Sequence, residues 1–276
     1  MCNIIYNNQV FSSENLKISP INRGQLFGDG FFETLLVVNN EVRFFEQHWN
    51  RLYKAVIAHK MELPDSLQKS ELLSQINSLL KTHLTDKLVR IRITCWRDGE
   101  GLYTPNSKQL NYLISSSKGS LAPTVKPRGL VFKEIYKQYS PLSFCKSLNA
   151  NVYIYANLAK NENQCDEMIV LGANEEIAEC SSSNIFLIKD DTVITPSLSS
   201  GCIEGIVRSE IIKWCYYNGI KVEERTIGIE ELQSVDFVFT ANITGLSRIE
   251  KIEDKNYKST SKIYDLIFNN FSIILQ

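Results

Sequence analysis

Three short segments in the second half of the chain carry residues whose chemistry is complementary. The first contains Lys146, which lies between apolar residues and just ahead of a stretch with helical character. Burial and the positive end of a helix both lower the pKa of a lysine, and they favour the neutral amine that forms a Schiff base. Considered alone, the segment is more simply explained by a surface lysine whose stem lies along apolar neighbours.

The second segment places a carboxylate before a serine-rich turn. Glu179 lies at the end of a predicted strand, and Ser182 and Ser183 follow it in the turn. A buried carboxylate can keep a pyridine ring protonated, which makes the ring an electron sink. Without further context, a solvated turn explains these residues equally well.

The third segment is a glycine-flanked helix start. Gly201 and Gly205 precede a predicted helix that begins with Ile206 and Val207. Free backbone N–H groups at a helix start bind phosphate well. A plain loop before a helix is the alternative explanation for this segment.

Composition removes several other classes of function. The chain has 276 residues with a formal net charge of −1, so it lacks the excess of positive charge typical of proteins that bind nucleic acid or anionic membranes. Seven cysteines include no C-x-x-C pair, and the three histidines are far apart, so we expect no metal site. No nucleophile elbow, Walker loop or dinucleotide-binding glycine motif is present.

The elements that must position these residues can be read from the periodicity of apolar side chains. Apolar residues from Phe45 to Val56 and again from Leu72 to Leu80 recur with helical spacing, whereas residues 88–95 alternate as in a half-buried strand. The second half predicts strands at residues 129–136, 168–171, 185–188 and 236–240 and helices at 147–162 and from about 205. Strands and helices mixed in both halves predict an α/β (α+β) protein.

A change of composition between residues 115 and 128 marks a boundary. Serines, a glycine and two prolines replace large apolar residues there. We therefore predict a small N-terminal α/β domain at 1–117, an interdomain linker at 118–128 and a C-terminal domain at 129–276. Residues 1–15 lack a basic start followed by an apolar run, so we expect a cytoplasmic protein.

Five motifs in fixed order resemble those of one enzyme family. Residues 22–34, with Gly28-Asp29-Gly30 and Phe32-Glu33-Thr34, resemble its N-terminal R-G-x-x-x-G-D-G-x-F-E-T, and residues 45–52 resemble its F-x-x-H-x-x-R-L helix. The three segments around Lys146, Glu179 and Gly205 complete the set. The chain thus resembles the fold-type IV, or class IV, pyridoxal-phosphate enzymes over nearly its whole length. This resemblance implies a larger C-terminal domain with a β-barrel-like sheet that binds pyridoxal 5'-phosphate.

The resemblance also implies roles for individual residues. Lys146 would be the catalytic residue: it would bind the cofactor covalently and then move the proton at the substrate α-carbon. Glu179 would pair with the cofactor's ring nitrogen. The other implied cofactor-binding residues are Arg51, Ser182, Ser183, Asn242 and the backbone N–H groups of Ile206 and Val207. His48 is expected to pack and form hydrogen bonds rather than to act in catalysis.

The choice of substrate and reaction is less sharply indicated. Arg97, after a strand that resembles the family's substrate-facing one, is the candidate for a substrate carboxylate, and Glu33 is a second candidate for substrate contact. The spacing K-x-x-N from Lys146 to Asn149 resembles lyases and D-amino-acid enzymes rather than branched-chain transaminases. We therefore expect a homodimeric 4-amino-4-deoxychorismate lyase that forms 4-aminobenzoate and pyruvate for folate biosynthesis. The alternatives are a branched-chain or D-amino-acid transaminase and a non-catalytic protein that binds pyridoxal phosphate.

Overall fold

The computed structural model describes residues 3–83, 86–273 and 275, and the chain packs as two compact units. Unit 1 consists of Met1–Ser120, Cys145–Asn149 and Leu275–Gln276, and unit 2 consists of Leu121–Phe144 and Ala150–Ile274. The sequence-based division into domains at 117 and 129 stays a prediction. Strands occupy part of the predicted linker, since one ends at Lys118 and the next begins at Val125.

Unit 1 is built on an antiparallel sheet of seven strands in its described residues. The order across the sheet is β2-β1-β6-β5-β3-β4, and β8 pairs with the N-terminal half of β3. The strands are β1 (Asn3–Tyr6), β2 (Gln9–Ser12), β3 (Gly30–Val38), β4 (Glu41–Val42), β5 (Leu88–Arg97), β6 (Leu110–Lys118) and β8 (Lys146–Ser147).

The central strands of unit 1 follow from the alternation of their side chains. Val89, Ile91, Ile93 and Cys95 of β5 are buried on one face, as the sequence predicts. β5 pairs along its length with β3 on one side and with β6 on the other. The helices of this unit are α1 (Arg23–Phe27), α2 (Phe45–Ala58) and α3 (Lys69–Leu80).

Unit 2 contains a mixed sheet of nine strands in its described residues. Its order is β10-β9-β7-β15-β14-β11-β12-β13, and β16 pairs with β15. β7 runs parallel to both β9 and β15, and β12 runs parallel to β13. The strands are β7 (Val125–Lys137), β9 (Glu167–Gly172), β10 (Ile177–Cys180), β11 (Asn184–Lys189), β12 (Thr192–Pro196), β13 (Val222–Arg225), β14 (Phe237–Asn242), β15 (Gly245–Ile252) and β16 (Lys255–Asn256).

Helices cover the sheet of unit 2. They are α4 (Asn151–Glu162), α5 (Ile206–Tyr217) and α6 (Lys262–Phe271). α4 buries Ala156 and Ala159 against Phe132, Met168 and Val170. α5 ends at a glycine, because Gly219 has a φ of 69°, the left-handed conformation that commonly terminates helices.

The main elements predicted from periodicity are confirmed, and the differences are local. Residues 23–27 form the short helix α1, which no periodicity in the sequence indicated. Asn22 starts this helix, since its side chain accepts a hydrogen bond from the N–H of Gln25. The predicted helix from 147 begins at Asn151, and Lys146–Ser147 form a strand instead.

Two kinds of feature, a membrane-spanning helix and a metal-binding cluster, are absent from the described residues. No helix among them is both long enough and apolar enough to cross a bilayer. No cluster of three or more histidine, cysteine, aspartate or glutamate side chains is arranged among them to hold a metal ion.

Candidate active site

Lys146 lies in unit 1, at the edge of its sheet. β8 pairs antiparallel with β3, which sets Lys146 opposite Phe32. The N–H of Leu148 extends this pairing by donating to the carbonyl of Gly30 at 3.0 Å. The Lys146 Nζ atom lies 5.9 Å from the centroid of the Phe32 ring. Backbone hydrogen bonds to β3 therefore fix the predicted catalytic lysine.

The glycines of the G-D-G segment are required by close packing at this edge. A Cβ atom on Gly30 would lie 2.2 Å from the carbonyl oxygen of Cys95 on β5. Gly28 has a φ of 62° and packs against the backbone of Asn149. The G-D-G segment therefore packs the N-terminal motif against Asn149, which follows Lys146.

Arg97 forms hydrogen bonds with other residues of unit 1. Its Nε donates to Asp29 Oδ2 at 2.9 Å and its Nη2 donates to the carbonyl of His59 at 2.7 Å. Arg23 Nε donates to the same Asp29 oxygen at 2.8 Å. Burial tends to raise the pKa of Asp29, but hydrogen bonds from Arg97 and Arg23 lower it overall. The substrate role of Arg97 stays a prediction, and its observed contacts hold the G-D-G segment.

Glu33 and Arg51 form a buried, bidentate ion pair. Arg51 Nε donates to Glu33 Oε1 and Arg51 Nη2 donates to Oε2, both at 2.7 Å. His48 Nδ1 lies 2.8 Å from Oε2. Burial opposes ionisation of Glu33, yet the Arg51 charge and the hydrogen bonds from His48 and Arg51 lower its pKa to about 2. Both Glu33 oxygens are thus engaged by α2, and its substrate role stays a prediction.

His48 carries one buried nitrogen without a partner. Its Nε2 atom makes no hydrogen bond in the described structure. Burial lowers the pKa of His48, Glu33 raises it, and the charges of Arg51 and Lys146 lower it further. These influences favour the neutral ring, which agrees with a hydrogen-bonding role.

Glu179 lies in unit 2, in a compact group of polar side chains. Its Oε1 accepts hydrogen bonds from Lys137 Nζ at 2.5 Å and from the Tyr153 hydroxyl at 2.7 Å. The N–H of Ile203 lies 3.2 Å from Oε2. The side chain is 3% exposed, so this carboxylate is removed from solvent while both of its oxygens accept hydrogen bonds.

The serine-rich turn after Glu179 rests on a second buried carboxylate. Ser181 Oγ donates to Glu167 Oε1 at 2.8 Å, and Ser183 Oγ donates to Oε2 at 3.1 Å. Lys126 Nζ neutralises the same carboxylate at 2.6 Å. Ser182 is exposed, whereas Ser183 is buried with its hydroxyl turned to Glu167.

Asn242 holds the same turn from β14. Its Nδ2 donates to the carbonyl of Ser182 at 3.1 Å, and its Oδ1 accepts from the N–H of Thr244 at 2.9 Å. Asn242 and the serine turn, both predicted from the sequence to bind cofactor, are thus neighbours in unit 2.

The start of α5 has the features of an anion site. Gly205 is its N-cap residue and supplies no side-chain cap, and the first helical residues are Ile206 and Val207. A Cβ atom on Gly205 would lie 1.9 Å from Asn184 Oδ1, so any other residue there requires the buried Asn184 side chain to move. The N–H groups of the first turn have no acceptor within the helix, which suits a phosphate.

Four partners in unit 2 were not identified from the sequence: the buried Lys126, Lys137 and Glu167 and the half-buried Tyr153. No local pattern distinguishes these residues. Lys133 and Lys137 would lie on the same face of a regular strand β7, yet Lys133 is exposed and Lys137 is buried. Only the partners brought by α4, β9 and β10 identify these residues.

Comparisons with known proteins agree with the motifs. The class IV amino-transferase family model matches residues 30–252. The chain is 27% identical to a D-alanine aminotransferase of Listeria monocytogenes over 91% of this chain and 88% of that protein.

Solved structures share the fold. A branched-chain aminotransferase of Thermoproteus uzoniensis superposes with a TM-score of 0.86 at 20% identity, covering 96% of this chain and 92% of that one. A putative 4-amino-4-deoxychorismate lyase of Legionella pneumophila gives 0.83 at 20% identity, covering 94% and 95%. This chain therefore has the fold-type IV architecture and belongs to the class IV aminotransferases, a family of pyridoxal-phosphate-dependent enzymes.

Proposed function

We propose that this protein transfers the amino group of an amino acid to a 2-oxo acid. The observation that carries the proposal is its similarity to a D-alanine aminotransferase along nearly the whole of both chains. The lyase-named structures are 20–21% identical and support the fold alone. Transamination therefore takes precedence over the lyase reaction, and the K-x-x-N spacing, which resembles lyases and D-amino-acid enzymes alike, is compatible with both.

The residues of unit 2 fit pyridoxal phosphate. The start of α5 offers uncapped N–H groups beside Gly205, where any side chain would collide with Asn184, and this suits the phosphate. Glu179 is a buried carboxylate, which suits a protonated ring nitrogen. We assign Ile206, Val207 and Asn242 to the phosphate end and Glu179 to the ring nitrogen.

In unit 1, we assign Arg51 to the phosphate and Lys146 to the reaction itself. The bidentate contact with Glu33 holds the Arg51 guanidinium in one orientation, which favours recognition of a phosphate. Bound pyridoxal phosphate supplies a carbonyl for the amino group and a ring that accepts the electrons of the substrate's α-carbon bond. Lys146 would hold the cofactor through that carbonyl and would move the proton of the substrate's α-carbon.

Aminodeoxychorismate cleavage is the second candidate function. Lys146 and Asn149 have the K-x-x-N spacing, and the backbone of Asn149 packs against Gly28 at the end of α1. The two reactions share substrate attachment and proton removal, and they differ in what leaves afterwards. Folate biosynthesis as the pathway belongs to this second candidate alone, whereas a homodimer and a cytoplasmic location are proposed for either reaction.

One assay with two substrate sets tests the proposal. The purified protein, loaded with pyridoxal phosphate, is given D-alanine or L-leucine with 2-oxoglutarate, and separately aminodeoxychorismate. We expect glutamate from an amino-acid arm and no 4-aminobenzoate from the other. Formation of 4-aminobenzoate and pyruvate without amino transfer would establish the lyase instead.

The variant Lys146→Ala tests the assigned catalytic residue. We expect its turnover to fall by at least about 100-fold, because both covalent attachment and proton transfer are lost. Lys133→Met, an exposed lysine on β7, is the matched control and should keep normal turnover. Equal loss in both variants would contradict the assignment.

A further inference from the structure

Lys137 is a buried cation that the proposed reaction does not use. It ends β7, is 9% exposed and lies against Glu179, the carboxylate assigned to the cofactor's ring nitrogen. Its Nζ atom donates to Glu179 Oε1 and to the Tyr153 hydroxyl oxygen, both at 2.5 Å. A buried lysine with two such contacts has a fixed position.

Tyr153 completes a closed group of three side chains. Its hydroxyl donates to Glu179 Oε1 at 2.7 Å, so both Lys137 and Tyr153 act on the same carboxylate oxygen. Among the described residues, the other oxygen, Oε2, accepts only the Ile203 N–H at 3.2 Å, and this N–H is shared with Oε1 at 3.3 Å. The two oxygens therefore differ. Two side chains hold Oε1, whereas Oε2 can still accept a further hydrogen bond.

Charge is the second consequence of this arrangement. A carboxylate alone would strongly stabilise a protonated ring nitrogen beside it. A lysine cation on the same carboxylate offsets its negative charge and repels the positive ring. The ring nitrogen would therefore lose its proton more readily beside the Glu179–Lys137 pair than beside a glutamate alone.

Other ionisable groups around Glu179 do not replace Lys137. Cys180 on β10 and Cys202 before α5 both sense the Glu179 charge, and burial raises the pKa of each thiol, so both are neutral. Lys126 is paired with Glu167, and Arg208 of α5 is paired with Glu224. Lys137 is the cation bonded to Glu179 in the described residues.

We propose that Lys137 is a positioning residue that turns Glu179 Oε2 towards the cofactor and makes the cofactor's ring nitrogen easier to deprotonate. The inference rests on the proposed function, since it assumes that Glu179 faces that nitrogen. Lys137 then sets how strong an electron sink the ring becomes, without contacting the substrate. No local sequence signal indicated this role.

The test reads the ring nitrogen directly. The protein is loaded with pyridoxal phosphate carrying ¹⁵N in the ring, and the ¹⁵N chemical shift is followed against pH over the range in which the protein stays folded. For Lys137→Met we expect the midpoint of ring deprotonation to lie at least about one pH unit above that of the unchanged protein. Lys137→Arg, which keeps the charge, should restore the original midpoint.

Controls separate this inference from a purely structural role. Lys133→Met, on the same strand but exposed, should leave the midpoint unchanged. If Lys137→Met does not fold, Lys137→Gln is compared in the same way, because it removes the charge and keeps a hydrogen-bond donor. Coinciding midpoints, or a ring nitrogen that stays protonated in both proteins, would overturn the inference.

Glu179→Gln distinguishes the two levels of the proposal. A changed ring-nitrogen shift in Glu179→Gln with no change in the Lys137 variants overturns only the role of Lys137. No change in Glu179→Gln overturns the assignment of Glu179 as well. Failure of the unchanged protein to bind pyridoxal phosphate would overturn the proposed function itself.

Discussion

Glu33 shows how a single residue links stability to pH. Its pKa is lowered to about 2 from 4.5, and the side chain is fully buried against Arg51 and His48. The unfolded chain therefore binds a proton at Glu33 at higher pH than the folded protein. This ionisation contributes about 3 kcal/mol of stability above pH 4.5, which is lost as the pH falls towards 2.

We expect Glu33→Gln to lower the urea midpoint at pH 7, because it leaves the buried Arg51 charge unpaired. The difference from the unchanged protein should shrink as the pH falls below about 4.5. Urea unfolding at a series of pH values measures both effects, with the exposed Glu14→Gln as the control. A constant difference at all pH values would contradict the argument.

At the scale of elements, the two ends of α5 have separable tasks. Gly205 at the start packs closely against Asn184. Gly219 after the end adopts a φ of 69°, and a Cβ atom on it would have no other atom within 4 Å. The start is the proposed phosphate site, whereas the end only terminates the helix. One substitution at each end therefore tests the division.

We expect Gly205→Ala to weaken pyridoxal phosphate binding by at least about tenfold, because the collision with Asn184 displaces the first-turn N–H groups. Gly219→Ala should lower stability by about 1 kcal/mol through backbone strain and leave cofactor affinity unchanged. Fluorescence titration and urea unfolding measure the two quantities. Equal affinity loss in both variants would refute the division of tasks.

At the scale of the whole molecule, the cysteines are structural. Cys95, Cys145, Cys180, Cys202 and Cys215 are buried and form no disulfide among the described residues, Cys165 is half-buried, and Cys2 lies outside the described residues. Burial raises the pKa of Cys215 to about 11 and raises those of Cys95 and Cys180. Thiolates are the reactive species, so these groups are protected.

A thiol count before and after unfolding checks this. We expect a disulfide reagent to titrate at most two thiols quickly in the folded protein and all seven in urea. Loading with pyridoxal phosphate should not raise the folded count. Rapid reaction of five or more thiols in the folded protein would show that the buried cysteines are accessible.

Local patterns along the chain were enough to predict several of its strands and helices. Alternation along β5 predicted a half-buried strand, and helical spacing predicted α2 and α3. The order of five motifs indicated the family, because each motif is a short run whose residues act near one another. The glycine at 205 was recognised for the same reason.

The pairing of the buried charges could not be predicted in this way, because it depends on how distant elements pack. Glu179 and Lys137 are 42 residues apart, and Glu33 and Arg51 are 18 apart on different elements. β8 likewise pairs with β3 rather than starting the predicted helix. Periodicity reports which face of an element is apolar, but a buried ion pair depends on which second element packs there, and residues distant in the chain supply that element.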